Sequence, residues 1–482
     1  MTSGAGRPTV LFLVHRIPYP PNRGDRIRSF HILDFLARRA EVALGFLTEE
    51  TPSAEALQAL KERCGWIGWA RWGRWQRWLR AACWFAAGRT ITEGLFASRK
   101  LRGQLRGWLQ EHRPDAVLVF CSSMMQYVHL PGLENVRIVV DLVDVDSQKW
   151  LDYAGLSRGW RRWVYQLEGR RLRRLERWIG QRAAAVLLTT PHEAAIYRQI
   201  APEAHIQVLL NGVDTEYFHP GVSPDWLGGQ QVAEQKTAPA GRESALAGCR
   251  SSLGTAPQGV GGHHAGQSSP QSGAGSTISS KARCVFVGAL DYQANIDGLQ
   301  WFCQEVWPLV RQQRPDAQFI VVGSNPTGAV FRLAEQTAGI QLVGPVPDVR
   351  PYLSEAEIVV VPLRVARGIQ NKVLEALAMG KPVVASPQAL EGLALQVGRE
   401  AELAHHPSQW AEKLLQLWAD PFRRTTLGQA GRRFVETHHQ WDQVLQPLGQ
   451  VLGLPEALGP SEEPSRTADQ SSSTKFHEHQ TI

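Results

Sequence analysis

The sequence predicts an α/β protein built on two open, mostly parallel sheets. Three observations carry that expectation. Short uninterrupted runs of Val, Ile and Leu alternate with amphipathic helical stretches, the alternation occurs in two blocks, and a Gly- and Ser-rich stretch separates them. Continuous apolar runs between helices are the mark of parallel strands buried on both faces. A chain of 482 residues is also too long for one ordinary core.

The first block opens with TVLFLVH (9–15), too short for a signal-peptide core and leading into His15-Arg16, so it reads as the first strand. A helix follows over 25–39, then VALGFLT (42–48), a helical region, DAVLVFCSS (115–123), RIVVDLVD (137–144), a long helix 158–181, AAVLLTT (184–190), a helix 192–201 and IQVLLNG (206–212). The second runs RCVFVGAL (283–290), helix 295–313, AQFIVVG (317–323), helix 328–337, IQLVGPV (340–346), IVVVPL (358–363), helix 371–380 and PVVAS (382–386). Sheets of this kind bind ligands beyond the carboxyl ends of their strands. Residues 221–280, with 12 Gly and 10 Ser, bury too little apolar area to offset ordering entropy and are expected to be a disordered insert, as is the tail 459–482.

Charge is unevenly spread. Residues 60–113 carry twelve Lys and Arg against three acids, and residues 158–182 nine Arg against two Glu, within a net charge of only +7. Localised positive charge in the first block points to an anionic surface or ligand. The six cysteines form no CxxC and no zinc spacing, and no stretch approaches membrane-spanning length, so a reducing, cytoplasmic location is expected.

The most informative strings are VLLNGVDTEYFHP (208–220), closing the first block, and RGIQNKVLEALAMGKPVVAS (367–386) in the second. With ADPFRRTTLGQAGRRFVETHHQWDQVL (419–445) they resemble the retaining glycosyltransferases of the GT-B fold, family four (group 1 type). PPNRGDRIRSFHILDFLAR, DLVDVDSQKW and VGALDYQANIDGLQWF are similar, more narrowly, to the sugar transferases of PEP-CTERM/exosortase-associated exopolysaccharide systems. The resemblance covers roughly 9–220 and 281–453. It implies two Rossmann-like domains across a cleft, an acceptor-side domain over 1–220, a nucleotide-sugar-binding domain over 281–430 and a helix at 431–458 crossing back to the first. It also implies a nucleotide-sugar donor, a carbohydrate or lipid-linked acceptor, retention of configuration, and neither metal nor cofactor.

A donor diphosphate needs N–H groups at a helix start and cationic side chains. Arg367-Gly368-Ile369-Gln370 leads into the helix from 371, and Gly368 permits close backbone approach. Glu375, one turn inside, is placed to accept ribose hydroxyls. Two departures from the family pattern stand out: Arg367 occupies the place of a donor-sugar-binding Glu, and VGALDYQAN holds no cation. Arg364, Arg367 and Lys372 are therefore expected to supply the positive charge, and backbone around Val346 to meet the base. In the first block, Arg23-Gly24-Asp25 turns into a helix and forms a candidate phosphate or acceptor loop. Asp144 and Asp146, with Asp141 at alternate positions, are expected to share one strand face and act on the acceptor hydroxyl, Asp144 foremost. His15 and His31 read as structural.

WIGWARWGRWQRWLRAACW (66–84) spaces Trp residues three apart with Arg between them. Trp and Arg suit a membrane interface, so Trp69, Trp72, Arg74, Trp75, Arg77 and Trp78 are expected to touch the inner, anionic face of a membrane. A three-residue step drifts about 60° per repeat on a helix, so these Trp cannot form one straight stripe. A nucleotide-sugar epimerase shares the architecture but needs no acceptor groove. A nucleic-acid binder would use stacking Trp and Arg, yet leaves both sheets and the 367–386 loop without purpose, and no nucleic-acid partner is expected.

Overall fold

The computed structural model describes residues 7–221 and 282–455. The low-complexity insert, apart from Gly221, and the tail lie outside them. The first sheet consists of β1 (Thr9–Val14), β2 (Glu41–Thr48), β3 (Trp66–Arg71), β4 (Ala116–Phe120), β5 (Arg137–Val143), β6 (Ala185–Leu188) and β7 (Ile206–Val208), in the order β3-β2-β1-β4-β5-β6-β7. The second consists of β8 (Arg283–Val287), β9 (Gln318–Val322), β10 (Ile340–Gly344), β11 (Ile358–Val361), β12 (Val383–Ala385) and β13 (Glu402–Leu403), in the order β10-β9-β8-β11-β12-β13. Every pairing in both is parallel.

Burial on both faces explains the absence of polar alternation. Along β1, Leu11 and Leu13 enter one core while Val10, Phe12 and Val14 enter the other. The second sheet is likewise covered twice. In each sheet the strand order reverses beside the first strand, between β1 and β4 and between β8 and β11, which opens a crevice at the carboxyl ends.

Two expectations need correction. Part of the region expected to be helical after β2 is the edge strand β3. Its side chains alternate: Trp66 packs on Trp108 on one side of the sheet, and Trp69 stacks on Phe46 on the other. The helix expected over 295–313 is interrupted by a wider turn at Phe302–Val306 between Gln293–Trp301 and Trp307–Gln313. Pro308, which has no N–H to donate, opens the last piece.

After helix Pro421–His438, which packs on the second domain, the chain crosses back. Trp441, Val444, Leu445, Leu448 and Leu452 complete a core of the first domain. Trp441 stacks on His31 at 4.6 Å, and Arg38 pairs with Asp442. The two domains are thus joined by packed apolar surface as well as by the chain.

Behind the end of β5, the long helix Gly159–Arg182 is fastened by a buried carboxylate. Glu176 accepts the backbone N–H of Ser147 at 2.8 Å and the Ser147 hydroxyl. Burial, only partly opposed by these bonds, pushes the Glu176 carboxyl up to about 8 from its ordinary 4.5. Folding therefore holds a proton that the unfolded chain releases near pH 4.5. That contribution to stability is full below this pH and is lost as pH rises through about 8. The unfolding temperature should fall between pH 5 and pH 9, and less steeply in Glu176→Gln, which cannot titrate. Parallel curves for the two proteins would contradict this.

Candidate active site

The cleft is organised by a side chain that sequence reasoning missed. Arg28, on helix Gly24–Ala37, is buried and fully engaged. Its Nε donates to Asp141 Oδ2 at 2.8 Å, Nη1 to Leu210 O and Asn211 Oδ1 at 3.1 and 2.8 Å, and Nη2 to Leu209 O at 3.0 Å. The one visible signal was an Arg on the apolar face of its helix, among Ser29, Ile32, Leu33, Phe35 and Leu36.

Asp141 in turn accepts the N–H of Val143, which is held at φ +67°. A β-branched residue in the left-handed region costs about 1–3 kcal/mol and persists only where its surroundings enforce it. The register of β5 on β6 shifts at the same point. The three carboxylates do not share one strand face, contrary to expectation: Asp141 and Asp144 are three residues apart, an odd spacing that ordinary alternation already puts on opposite faces, and the strand ends at Val143. Asp141 turns inward to Arg28. Asp144 faces the cleft and accepts the Thr189 hydroxyl at 3.2 Å. Asp146 opens helix Asp146–Leu156 and accepts Ser122 Oγ at 2.7 Å. Burial raises the Asp144 carboxyl above the ordinary range, with Asp146 adding to the shift and Lys149 opposing it.

The opposite wall is the loop from Arg364 to Gln370 and helix Asn371–Ala378. Gly368 adopts φ +63°, and a Cβ there would fall 3.0 Å from Asp144 Oδ1 and 3.2 Å from Thr189 Oγ1. Ile369 is buried as an anchor, and Gln370 Nε2 donates to the carbonyls of Arg367 and Gly368. Asn211 of the NGVD segment donates to Asn371 Oδ1 at 3.1 Å, so the two family-like strings meet in space. Lys372 donates to Asn295 Oδ1 at 2.6 Å and lies beside Gly288, beyond the end of β8. Burial lowers the Lys372 ammonium to about 8 and raises the Glu375 carboxyl one turn on to about 7. Gly323 lets β9 approach the β8 loop, because a Cβ there would meet Gly288 O at 1.7 Å.

The remaining predicted residues fall in different places. Arg367 does not stand free for a phosphate: it pairs with Asp152 and lies 3.7 Å from Glu193, both on the first domain. Arg364 lies 3.5 Å from Asp297 and is largely exposed. These groups line a cavity of about 260 Å³ between the domains, with Thr190, His192 and Glu391. Glu193 accepts the N–H of Val145 at 2.7 Å. Val346 packs at the edge of the second domain's core. In the Arg23–Asp25 turn, Gly24 lies near Asn371, whereas Asp25 pairs with Arg16 at 2.8 Å and approaches His15 at 3.3 Å. Burial favours the protonated Asp25, but His15 and Arg16 outweigh it and hold the carboxyl well below the ordinary range.

Of the residues expected at a membrane, two are inside the fold. Trp72 is 4% exposed and packs edge-on to Phe96 at 5.1 Å, while Trp69 is half-buried between Phe46 and Lys100. The run of Trp spans a strand and then a helix, so it has no single outward face. Arg77 pairs with Glu49 at 3.0 Å, and the Arg74 side chain is not among those described. On helix Arg74–Ala86, however, Trp75 and Trp78 are 82% and 54% exposed. With Leu79, Ala82, Cys83 and Ala86, also exposed, they make an apolar stripe at three- and four-residue steps.

Two α/β domains meeting across a crevice at their strand ends, with a C-terminal helix crossing back, define the GT-B class of glycosyltransferase folds. Residues 31–212 match the glycosyl transferase 4-like domain, and residues 281–420 match the glycosyl transferases group 1 family. The chain is a glycosyltransferase of group 1. Over 157 residues it is 31% identical to a GDP-mannose-dependent monoacylated alpha-(1-6)-phosphatidylinositol monomannoside mannosyltransferase of Corynebacterium glutamicum, a match spanning 30% of this chain and 41% of that one. Sucrose-phosphate synthase from Thermosynechococcus elongatus shares the fold with a TM-score of 0.61 at 16% identity, over 92% of this chain and 98% of that one. Anabaena HepE in complex with UDP and glucose does so at 0.58 and 12%, over 92% and 99%.

The closeness of Gly368 to Asp144 and Thr189 generates a test. Gly368→Ala adds a methyl where φ is positive and contact is already tight, and should lower transfer activity at least about tenfold. Its unfolding temperature should change by only a few degrees, since the loop lies at the cleft rather than in a core. Undiminished activity would show that the loop does not need this approach.

Proposed function

We propose that the protein moves a sugar from a nucleotide-sugar to a carbohydrate or lipid-linked acceptor, with retention of configuration, at the inner surface of a membrane. We place the reaction in bacterial exopolysaccharide assembly, on the resemblance of the sequence to transferases of such systems. The observation that carries the donor assignment is the start of helix Asn371–Ala378. Lys372 lies there beside the β8 loop with Glu375 one turn on, while Gly368 and Asn371 meet the first domain's Asp144 and Asn211.

In this reading Glu375 accepts the ribose hydroxyls, and Lys372 with N–H groups of the helix start holds the diphosphate. Burial lowers the Lys372 ammonium to about 8, and an arriving phosphate opposes that shift by favouring the charged form. Asp144 orients the acceptor hydroxyl, and a donor phosphate oxygen takes its proton as the sugar leaves on the same face. No metal enters this scheme. Arg367 holds Asp152 and Glu193 across the cleft and so positions the wall rather than the diphosphate.

GDP-mannose and a phosphatidylinositol mannoside in the Corynebacterium relative, and UDP with glucose in the Anabaena structure, support a nucleotide-sugar and a lipid-linked acceptor. No helix among the described residues is long and apolar enough to cross a membrane. The stripe of Trp75, Trp78 and Leu79 is suited to lie in an interface, with Arg residues near it each worth about 1 kcal/mol on an anionic leaflet.

The reading is tested with a panel of UDP- and GDP-sugars and with anionic vesicles. At least one donor should raise the unfolding temperature of the wild type, and Glu375→Ala should lose most of the shift, since a lost acceptor for buried hydroxyls costs about 1–3 kcal/mol. Trp75→Ser with Trp78→Ser should release the protein from vesicles and leave the donor shift intact. A Glu375→Ala variant that responds like the wild type would move the donor site elsewhere. Undiminished vesicle binding by the Trp variant would remove the membrane surface from the account.

A further inference from the structure

The face that helix Asp146–Leu156 turns to the cleft repeats every three or four residues. Asp146 accepts Ser122 Oγ at one end, and Asp152 reaches Arg367 of the donor loop at the other. Lys149 stands between them. Its ammonium faces Asp144 and Asp146 on its own domain, and Tyr153 and Tyr292 at the mouth of the cleft. Tyr292 precedes helix Gln293–Trp301 of the second domain, directly after the β8 loop. The second domain's cations near this point have partners: Lys372 bonds Asn295 at 2.6 Å, Arg364 lies 3.5 Å from Asp297, and Arg367 pairs with Asp152. Among the described residues, the Lys149 side chain has no hydrogen bond and no ion pair within 4 Å.

We infer that Lys149 is the cation the first domain supplies to the diphosphate of the donor, an inference that rests on the glycosyl-transfer reading above. A diphosphate on the β8 loop would bring two or more negative charges towards Asp144 and Asp146. Unscreened, like charges at such range in a half-dry cleft oppose binding strongly. An ammonium standing between the carboxylates and the phosphates reverses the sign of that interaction. It also explains how a β8 loop with no Lys or Arg of its own can receive a diphosphate: positive charge comes from Lys372 on one side and from Lys149 across the cleft. Because Lys149 belongs to the opposite domain, the bond it makes also draws the two walls together. Lys149 keeps its proton throughout, since burial lowers its pKa but Asp146, Tyr153, Tyr292 and Asp144 raise it further.

The test compares wild type, Lys149→Met and Lys149→Arg by calorimetric titration with UDP and GDP, and with uridine and guanosine, at low and moderate salt. Lys149→Met should weaken the tighter-binding diphosphate at least about tenfold, and Lys149→Arg should retain most of the affinity. The loss should shrink as salt rises, and nucleoside binding should be unchanged. Full diphosphate affinity in Lys149→Met, or an equal loss for nucleoside and diphosphate, overturns the inference while leaving the donor site in place. A wild type that binds neither UDP nor GDP overturns the donor-site reading itself, and the inference with it.

Discussion

Arg28 enters the first domain with every guanidinium nitrogen engaged, and two segments far apart in sequence converge on it. Asp141 at the end of β5, the carbonyls of Leu209 and Leu210, and the side chain of Asn211 all bond to one planar group. A buried ion pair adds little net stability, because desolvation offsets its Coulomb energy. Its contribution here is geometric. Through Asp141 it braces the left-handed turn at Val143 that separates Asp141 from Asp144 and Asp146, and through Asn211 it reaches Asn371 at the head of helix Asn371–Ala378. His439 Nδ1 donates to Asn211 O from the crossing segment, so the same node also receives the chain as it returns from the second domain.

Around that node the charges follow one pattern. Carboxylates behind the turn at Val143 are satisfied chiefly by N–H and O–H donors: Glu176 by Ser147, and Glu168 by Ile91 and Thr92, while Glu193 accepts from Val145 and also lies 3.7 Å from Arg367. Burial pushes both Glu176 and Glu193 upward, to about 8 and about 7. At the cleft, Arg367 reaches across to Asp152 and Glu193 of the first domain, while Lys372 bonds Asn295 of its own. The outer surface uses its Arg residues differently, as partners of Glu49 and of half-buried aromatic rings such as Trp84. Composition alone, which reports twelve basic residues in this window, does not separate these roles.

Much of the fold was legible because buried parallel strands read as unbroken Val, Ile and Leu, a signal unaffected by tertiary detail. β3 was not, because WIGWAR carries Trp and Arg in place of aliphatics and pairs only at a sheet edge. The cleft loop 364–370 was legible from its glycine and the helix start after it, and Asn211 and Asn371 meet. The carboxylate arrangement was not, because Asp141 and Asp144 stand an odd number of residues apart and the strand ends in the left-handed turn at Val143, so period-two alternation does not extend to Asp144 and Asp146. The Trp window was half legible. Its Trp-Arg chemistry is visible in sequence, but only the break from strand to helix decides that Trp72 is core and Trp75 is surface. Arg28, Lys149, Asp152 and Glu193 gave almost no signal, since each acquires its role from a partner more than a turn away in the chain.

The central claim is that the Arg28–Asp141 pair serves position rather than stability. A double-mutant cycle with Arg28→Met, Asp141→Leu and the double variant, read by denaturant unfolding and by the nucleoside-diphosphate shift in unfolding temperature, separates the two. Each single variant should lose about 3–5 kcal/mol by stranding a buried charge, and the double variant should recover much of it. The nucleotide response should stay impaired in all three, because Val143 and Asn211 have lost their common anchor. A double variant that regains both stability and the full nucleotide response would contradict the account.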